Sequence, residues 1–274
     1  MLAMLAWCVV GSAHATTAAA THAGDAILAR FHAARAETDC REASRQWRQH
    51  YAHAAFRLAD RDEVALALFG YVLDEVRKAG LPGEYALIPF VESRYRADAR
   101  SSGGPAGLWQ FTAGTARRHG LVIRGPVDER MSVVSSTEAA VAYLARLHRM
   151  FGRDWRSTVM AYNAGEGALK ASRRGGRTLS GITRSYPSKV HAIACLLDER
   201  GRHGRWQASI SRPVPRLMPR LLPSETRSLA RWALRHGFDP KLVRALNPGW
   251  HVGSLEILAP IAADAGRPQA GKAN

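Results

Sequence analysis

Apolar residues recur at helical spacing through the middle of this chain. The clearest segment has apolar side chains three and four positions apart, at Leu66, Phe69, Val72, Leu73 and Val76. This spacing places them on one face of a helix, and the glycines and proline that follow end it. The pattern therefore predicts a mainly α domain. Further helices are predicted at residues 84–92, 108–119, 139–150, 155–162 and 186–197. Pro89 should kink the first of these helices, and Asp154 can cap the helix at 155–162.

Prolines and turn residues divide the chain into segments. Four prolines among arginines at residues 201–223 predict a linker. After it, two short helices, the second capped by Asp239, and a strand at 255–259 predict a small C-terminal α+β segment. The predicted segments are a signal peptide at 1–15, a helical extension at 16–61, a main helical domain at 62–200, the linker at 201–223, the α+β segment at 224–263 and a disordered tail at 264–274.

The N-terminus indicates where the protein is located, and the net charge indicates what kind of partner it binds. An apolar start followed by Ala13-His14-Ala15 predicts cleavage before Thr16 and export to the periplasm or cell envelope. No basic residue precedes Arg30, so the alternative is a helix that remains as an anchor. The formal net charge is +16, which favours anionic partners such as nucleic acid, anionic lipid or an acidic wall polymer.

The three cysteines are Cys8, Cys40 and Cys195. Cleavage of the signal would leave Cys40 and Cys195, which either pair in an oxidising compartment or remain as two buried thiols. The sequence has no Cys-x-x-Cys or His-Glu-x-x-His motif, so we predict no metal site and no cofactor.

Glu92 is the strongest candidate for chemistry. It follows the apolar residues Ile88, Phe90 and Val91, and burial among them would raise the pKa of its carboxyl group because desolvation disfavours the charged form. Such a group can act as a general acid near neutral pH. The alternative is an ordinary helical glutamate paired with a neighbouring arginine.

Two later segments combine aromatic and amide side chains. Trp109 is followed by Gln110, and Tyr162 is followed by Asn163 just before Gly165. The amides could bind the hydroxyl or N-acetyl groups of a sugar, and the glycine permits close approach of a substrate. The alternatives are a core tryptophan, a solvent-facing glutamine and a glycine that merely ends a helix.

Four motifs in order resemble those of the family 1 lytic transglycosylases, closest to their membrane-bound D type. The motifs are Pro89-Phe-Val-Glu-Ser93, Gly107-Leu-Trp-Gln110, Ala161-Tyr-Asn-Ala-Gly-Glu-Gly167, and Thr183-Arg-Ser-Tyr186 with Lys189. Each motif is modest alone, but their combination in this order is specific. The resemblance spans residues 81–197.

The resemblance implies a lysozyme-like catalytic domain that cleaves the MurNAc-GlcNAc β-1,4 bond of peptidoglycan and forms 1,6-anhydro-MurNAc ends. It assigns Glu92 as the single acid and base. Ser93 would orient Glu92 or the sugar, Tyr186 would lie beside Glu92, and Glu166 would be structural. The residues expected to bind substrate are Ser93, Gln110, Tyr162, Asn163 and Tyr186.

The sequence departs from the family at two positions, where Ile182 replaces a usual glutamate and Met131-Ser132 replace a usual aspartate. The C-terminal segment weakly resembles lysin-motif wall binders, and its basic helices also imitate a DNA-binding helix-turn-helix. Because the chain is predicted to be exported, we expect peptidoglycan strands as the partner, with an anionic wall or membrane surface as a further one, no nucleic acid, and a monomer. The alternative functions are a goose-type lysozyme-like hydrolase and a non-catalytic wall-binding protein.

Overall fold

The computed structural model describes residues 19–61, 64–176, 178–201 and 203–262. The predicted signal peptide and tail lie outside these residues. The helices are α1 (Gly24–Ala33), α2 (Arg45–His50), α3 (Ala52–Ala59), α4 (Ala65–Lys78), α5 (Ile88–Glu92), α6 (Ala113–Arg118), α7 (Val133–Met150), α8 (Trp155–Ala164), α9 (Glu166–Arg173), α10 (Gly181–Gly201), α11 (Gly204–Ile210), α12 (Leu229–Arg235) and α13 (Pro240–Leu246). None of these helices is both long and apolar enough to cross a membrane.

The strands are short and form two-stranded antiparallel sheets. They are β1 (Thr21–Ala23), β2 (Ile123–Arg124), β3 (Val127–Asp128), β4 (Pro213–Pro215), β5 (Leu217–Leu221) and β6 (Glu256–Pro260). β1 pairs with β4, β2 with β3, and β5 with β6 in the register Leu217 opposite Pro260. The mainly α prediction is confirmed.

Helix α4 provides much of the core, and α10 connects the elements around it. The five apolar residues that predicted α4 are all buried, which confirms the periodicity argument. Helix α10 packs against α2, α3, α5 and α8. It begins at Gly181, five residues before the predicted start, and continues to Gly201 with Pro187 inside it. Its first turns bring Tyr186 against the end of α5.

The segment that carries Glu92 differs from the prediction. Instead of one helix kinked at Pro89, a 3₁₀ turn at Gly83–Leu87 precedes α5. Pro89 lies in the first turn of α5, where a helix has no internal partner for a backbone N–H, so the proline costs nothing there. The helix ends directly after Glu92 because Arg94 and Tyr95 adopt positive φ angles.

Two other helix boundaries were predicted wrongly. Residues 108–119 form a helix only from Ala113 to Arg118, because Thr112 caps it and Gln110 has a φ of 50°. Helix α7 starts at Val133, where the Ser132 hydroxyl accepts a hydrogen bond from the Ser135 N–H. Ser132 thus serves as a cap. The predicted caps at Asp154 and Asp239 are confirmed.

A disulfide joins the N-terminal segment to α10. Cys40 and Cys195 are bonded across 155 residues of sequence, which decides between the two alternatives left open by the sequence. His191 lies beside the bridge, but bonded cysteines have no thiolate to offer a metal. The bridge fixes the connection between α1 and α2 against the middle of α10.

The C-terminal part is a small α+β unit with its own core, as predicted. Its buried side chains include Leu229, Trp232, Phe238, Val243 and Ile257. The segment 201–223, predicted to be a linker, instead carries α11 and two strands. The segment packs against the helices, because Trp206 is 9% exposed and its indole donates to the Ala55 carbonyl at 2.9 Å.

Candidate active site

Glu92 is the last residue of α5, with its side chain partly buried. The flanking Ile88 and Phe90 are fully buried. Burial raises the pKa of the Glu92 carboxyl group, and this effect outweighs the opposing influences of Tyr186 and Lys189. The carboxyl group therefore retains its proton to a higher pH than an ordinary glutamate.

Tyr186 is the direct partner of Glu92. Its hydroxyl donates to Glu92 Oε1 at 2.5 Å. The pKa of Tyr186 lies well above its usual value because of burial and the nearby Glu92 charge, so the hydroxyl remains a donor. A donor of this kind stabilises the carboxylate form of Glu92. The site therefore combines an apolar environment that favours the acid with a hydrogen bond that favours the base.

Lys189 lies one helical turn beyond Tyr186 on α10. Its ammonium charge lowers the pKa of Glu92, although less than burial raises it. The Lys189 Nζ lies over the ring of Trp47 at 5.0 Å from the centroid, which is a cation–π geometry. The ammonium group is thus held by an aromatic ring from α2.

Tyr51 brings the N-terminal segment to the same site. It is buried, and burial followed by the Glu92 charge raises the pKa of its hydroxyl to about 12. Sequence reasoning missed both Tyr51 and Trp47, because no local pattern links residues near 50 to Glu92. Lys189 was named with the fourth motif, and its three-residue spacing from Tyr186 places both residues on one helix face.

Ser93 supports the site through the backbone. Its hydroxyl lies 2.8 Å from the Leu108 carbonyl and 3.1 Å from the Pro89 carbonyl. It therefore joins the end of α5 to the loop before α6. The carboxyl group of Glu92 is bonded by Tyr186 and not by Ser93.

The Gln110 side chain also forms hydrogen bonds within its own loop. Its Nε2 donates to the Gly107 carbonyl at 2.9 Å and the Ala99 carbonyl at 3.2 Å, and its Oε1 accepts from the Ser101 hydroxyl at 2.7 Å. These bonds fix the loop at residues 99–110. A sugar would have to share or displace one of them.

Tyr162 and Asn163 lie at the end of α8. The Tyr162 hydroxyl donates to the Trp109 carbonyl at 2.9 Å, and burial followed by the Glu92 charge places its pKa well above the usual value. Asn163 is exposed, and its Oδ1 accepts from the Thr183 hydroxyl at 2.8 Å. Its amide nitrogen has no hydrogen bond to any residue that the structure describes and can donate to a ligand.

The side chains of Trp109 and Glu166 are both bonded within the fold. Trp109 is buried and its indole donates to Thr137 at 3.0 Å. Glu166 accepts from Arg146 at 2.7 Å and from Tyr143 at 3.1 Å. Burial acts to raise the pKa of Glu166, but these hydrogen bonds bring it to about 2. An acid so strong cannot protonate a leaving group at neutral pH.

Part of the chain is similar in sequence to known proteins. Residues 74–182 match the family model of the transglycosylase SLT domain. The chain is 36% identical over 145 residues to membrane-bound lytic murein transglycosylase D of Escherichia coli K12, covering 49% of this chain and 32% of that protein. It is 41% identical over 83 residues to peptidoglycan transglycosylase gp16 of Escherichia phage T7, covering 30% and 6% respectively.

One solved structure is similar over part of its length. It is an inactive mutant of lytic transglycosylase Slt from Pseudomonas aeruginosa, with 21% identity, a TM-score of 0.38, and coverage of 65% of this chain and 38% of that one.

Residues 74–182 thus match the SLT domain, and the chain is similar over part of its length to lytic transglycosylases. It spans about a third of the length of the Escherichia coli relative.

Proposed function

We propose that this protein is a peptidoglycan lytic transglycosylase that cleaves the MurNAc-GlcNAc β-1,4 bond and leaves 1,6-anhydro-MurNAc ends. The observation that carries the proposal is the environment of Glu92, where burial favours the protonated form and the Tyr186 hydroxyl favours the carboxylate. One group can then serve first as acid and later as base. The names of the relatives support the same substrate.

In the first step, Glu92 gives its proton to the glycosidic oxygen as the bond to C1 breaks. The carbonyl oxygen of the muramyl N-acetyl group bonds to C1 and forms an oxazolinium ion. The Glu92 carboxylate then takes the proton of the C6 hydroxyl, and O6 attacks C1 as the bond to the N-acetyl oxygen breaks. The product has a 1,6-anhydro ring, no water is consumed, and Glu92 is protonated again.

The other predicted residues position Glu92 or the sugar. Tyr186 stabilises the Glu92 carboxylate between the two steps, and the free amide N–H of Asn163 donates to a hydroxyl or N-acetyl oxygen. Ser93 and Gln110 hold the loop that faces α5, and Tyr162 fixes the Trp109 carbonyl. Of the predicted substrate-binding residues, Asn163 is thus the one with the most freedom to bind substrate.

The test is digestion of purified sacculi followed by mass analysis of the products. We expect muramyl ends lighter by one water than reducing ends, and we expect Glu92→Gln to lose turnover by several orders of magnitude. Reducing ends would instead identify a hydrolase. Binding to sacculi without cleavage by either protein would identify a wall-binding protein. Glu166→Gln is a matched control that should retain the anhydro product.

We further propose that the protein is exported to the periplasm or cell envelope and acts there as a monomer. The catalytic domain would occupy residues 62–200, with the helical extension at 16–61 and the lysin-motif-like segment at 224–263 on either side. The formal charge of +16 supports contact with an anionic wall or membrane surface. Fractionation of cells with an antibody against the protein would test the location.

A further inference from the structure

Trp47 connects the N-terminal helix α2 to the surroundings of Glu92. Helix α2 packs against α10, and the Trp47 ring faces Lys189 of α10, whose Nζ lies 5.0 Å from the ring centroid. Three positions before Lys189, the Tyr186 hydroxyl donates to Glu92 at 2.5 Å. Residues three apart share one face of a helix. A side chain of α2 therefore contacts one of the groups that act on Glu92.

Lys189 carries a charge that depends on this contact for its position. The residue is half-buried. Burial lowers the pKa of its ammonium group, and the Glu92 charge raises it. Lys189 forms no hydrogen bond or ion pair with any residue that the structure describes. An aromatic face attracts a cation of this kind. The Trp47 ring is thus the described contact that holds the ammonium group in place.

No other positive charge acts in this way on Glu92 within the described part of the chain. The titratable groups that interact with Glu92 are Tyr51, Tyr162, Tyr186 and Lys189. Burial raises the pKa of each of these tyrosines, so their hydroxyls are neutral where Glu92 titrates. The Arg94 charge acts on Tyr51, whereas the influences that lower the pKa of Glu92 come from Tyr186 and Lys189. Lys189 therefore supplies the positive charge.

The position of Trp47 does not depend on Lys189. The Trp47 backbone N–H donates to the Ser44 hydroxyl at 3.3 Å, which caps α2. Its ring centroid lies 5.5 Å from that of His50 and 6.1 Å from that of Tyr51. The disulfide joins the segment before α2 to α10. The ring is thus held against α10 by the fold, as a positioning role requires.

We propose that Trp47 is a positioning residue whose ring holds the Lys189 ammonium group beside Glu92, so that α2 sets the pH range in which Glu92 can donate its proton. This role rests on the proposed function of Glu92. Without the ring, the flexible lysine side chain would turn its ammonium group toward water. Its field at Glu92 would then weaken because the charge would be more distant and better screened.

The test measures the pKa of Glu92 by NMR in the full chain, isotope-labelled at the glutamate carboxyl groups, with Glu92→Gln to assign the signal. We expect Lys189→Met to raise this pKa because it removes the positive charge. Trp47→Leu should raise it by less, because the charge is displaced and not removed. The double variant should match Lys189→Met, since Trp47 acts through Lys189. Lys189→Arg keeps the charge and can stack on the ring, so it should retain the wild-type value.

Cleavage of sacculi across a range of pH gives a second readout. Glu92 must be protonated to act as the acid, so the rate falls as the pH rises through its pKa. The alkaline limb of this profile should move to higher pH in Trp47→Leu. A loss of packing alone would lower the rate at every pH without moving the limb.

Two matched controls remove a ring and a cation elsewhere. Phe56→Leu removes a ring of α3 that faces the Arg200 guanidinium at 5.7 Å. Lys78→Met removes an exposed cation that pairs with Glu75 at 2.6 Å. Both variants should retain the wild-type pKa of Glu92.

An unchanged pKa of Glu92 in Trp47→Leu or in Lys189→Met would overturn the proposal, and so would a double variant whose pKa differs from that of Lys189→Met. If Trp47→Leu does not fold, Trp47→Phe replaces it. A phenyl ring attracts a cation less than indole does, so this variant should raise the pKa slightly, and an unchanged value would again overturn the proposal. Failure of the wild type to release anhydro ends would refute the proposed function, whereas the titration would still decide the role of Trp47.

Discussion

A single carboxyl group must change its protonation state during the proposed reaction, and its surroundings favour neither state completely. Burial of Glu92 favours the acid, whereas Tyr186 and Lys189 favour the carboxylate. An ordinary exposed glutamate would be ionised at neutral pH and could not donate a proton. A glutamate buried without these partners could donate its proton, but the carboxylate that remains would be unfavourable.

Replacement of Tyr186 by phenylalanine tests this balance. The change removes the hydrogen bond at 2.5 Å, so the pKa of Glu92 should rise further and the pH optimum should move to higher pH. Because hydrogen bonds to charged groups contribute about 1.5–3 kcal/mol, we expect a rate loss of roughly 10- to 100-fold. Release of anhydro products from sacculi across a range of pH measures both effects.

Tyr85→Phe is the control for the loss of a buried tyrosine hydroxyl, since that hydroxyl bonds His148 and not Glu92. Its pH optimum should match that of the wild type. An unchanged pH optimum in Tyr186→Phe would contradict the role of Tyr186, even if activity fell.

Stability provides a second measure of Glu92. Burial raises the pKa of Glu92 above the ordinary value of 4.5 in the folded state, so the folded state binds the proton more tightly than the unfolded state. The resulting penalty is absent below about pH 4.5 and develops as the pH rises through the folded pKa. Glu92→Gln should therefore increase the melting temperature at neutral pH. The increase should be about 2–4 °C for each kcal/mol of this penalty that the substitution removes. The difference should vanish in acid, and a constant difference at every pH would refute this account.

At the residue scale, the sequence predicted which residues lie near Glu92 better than it predicted the contacts that they form. The order of the motifs pointed to Glu92 and Tyr186, which the structure brings together. The sequence could not show that the Gln110 amide bonds to a carbonyl of its own loop, because this contact depends on the φ of 50° at Gln110. Tyr51 was missed because its proximity to Glu92 depends on a disulfide and helix packing far along the chain.

At the element scale, the turn at Gly107 controls how the loop meets α5. Gly107 has a φ of +77°, and a Cβ atom there would lie 1.7 Å from the Arg130 carbonyl oxygen. Arg130 is itself buried and donates to the carbonyls of Gly104 and Phe111. The glycine is therefore required by close backbone approach as well as by its φ angle.

We expect Gly107→Ala to displace this loop and to lower both the thermal stability and the rate of sacculus cleavage, the latter by at least about tenfold because misplacement of supporting groups is costly. Gly104→Ala is the matched control. Its φ is +95°, but a Cβ there meets nothing within 4 Å, so it carries only the conformational strain. Equal losses in the two variants would show that the contact with Arg130 is unimportant.

Element boundaries were predictable where a side chain caps a helix. Asp154 and Asp239 marked helix starts correctly because aspartate accepts from the free N–H groups of the first turn. Residues 108–111 were assigned to a helix by apolar spacing alone, yet Trp109 is buried in a turn and bonded to Thr137. Apolar spacing cannot separate a helix from a tightly packed turn.

At the scale of the whole molecule, the disulfide joins the segment between α1 and α2 to α10. Replacing Cys40 and Cys195 by serine should lower the free energy of unfolding by about 2–5 kcal/mol, since the bridge closes a loop across 155 residues. Urea unfolding measures this. Reduction of the wild type should reproduce the loss, whereas the same reductant should leave the double variant unchanged. An unaltered urea midpoint would contradict a stabilising role.

The net charge acts over the entire surface, so its effect on binding can be measured separately from the chemistry at Glu92. The chain carries a formal charge of +16, and an anionic wall should attract it over about one Debye length, about 8 Å at 0.15 M salt. We therefore expect KM for sacculi to rise with salt while kcat stays constant, because salt screens the long-range encounter more than the direct hydrogen bond between Tyr186 and the partly buried Glu92. For a short uncharged glycan, KM should not change with salt. If kcat fell together with the rise in KM, salt would be acting on the site or the fold, and charge attraction would not explain how the protein reaches the wall.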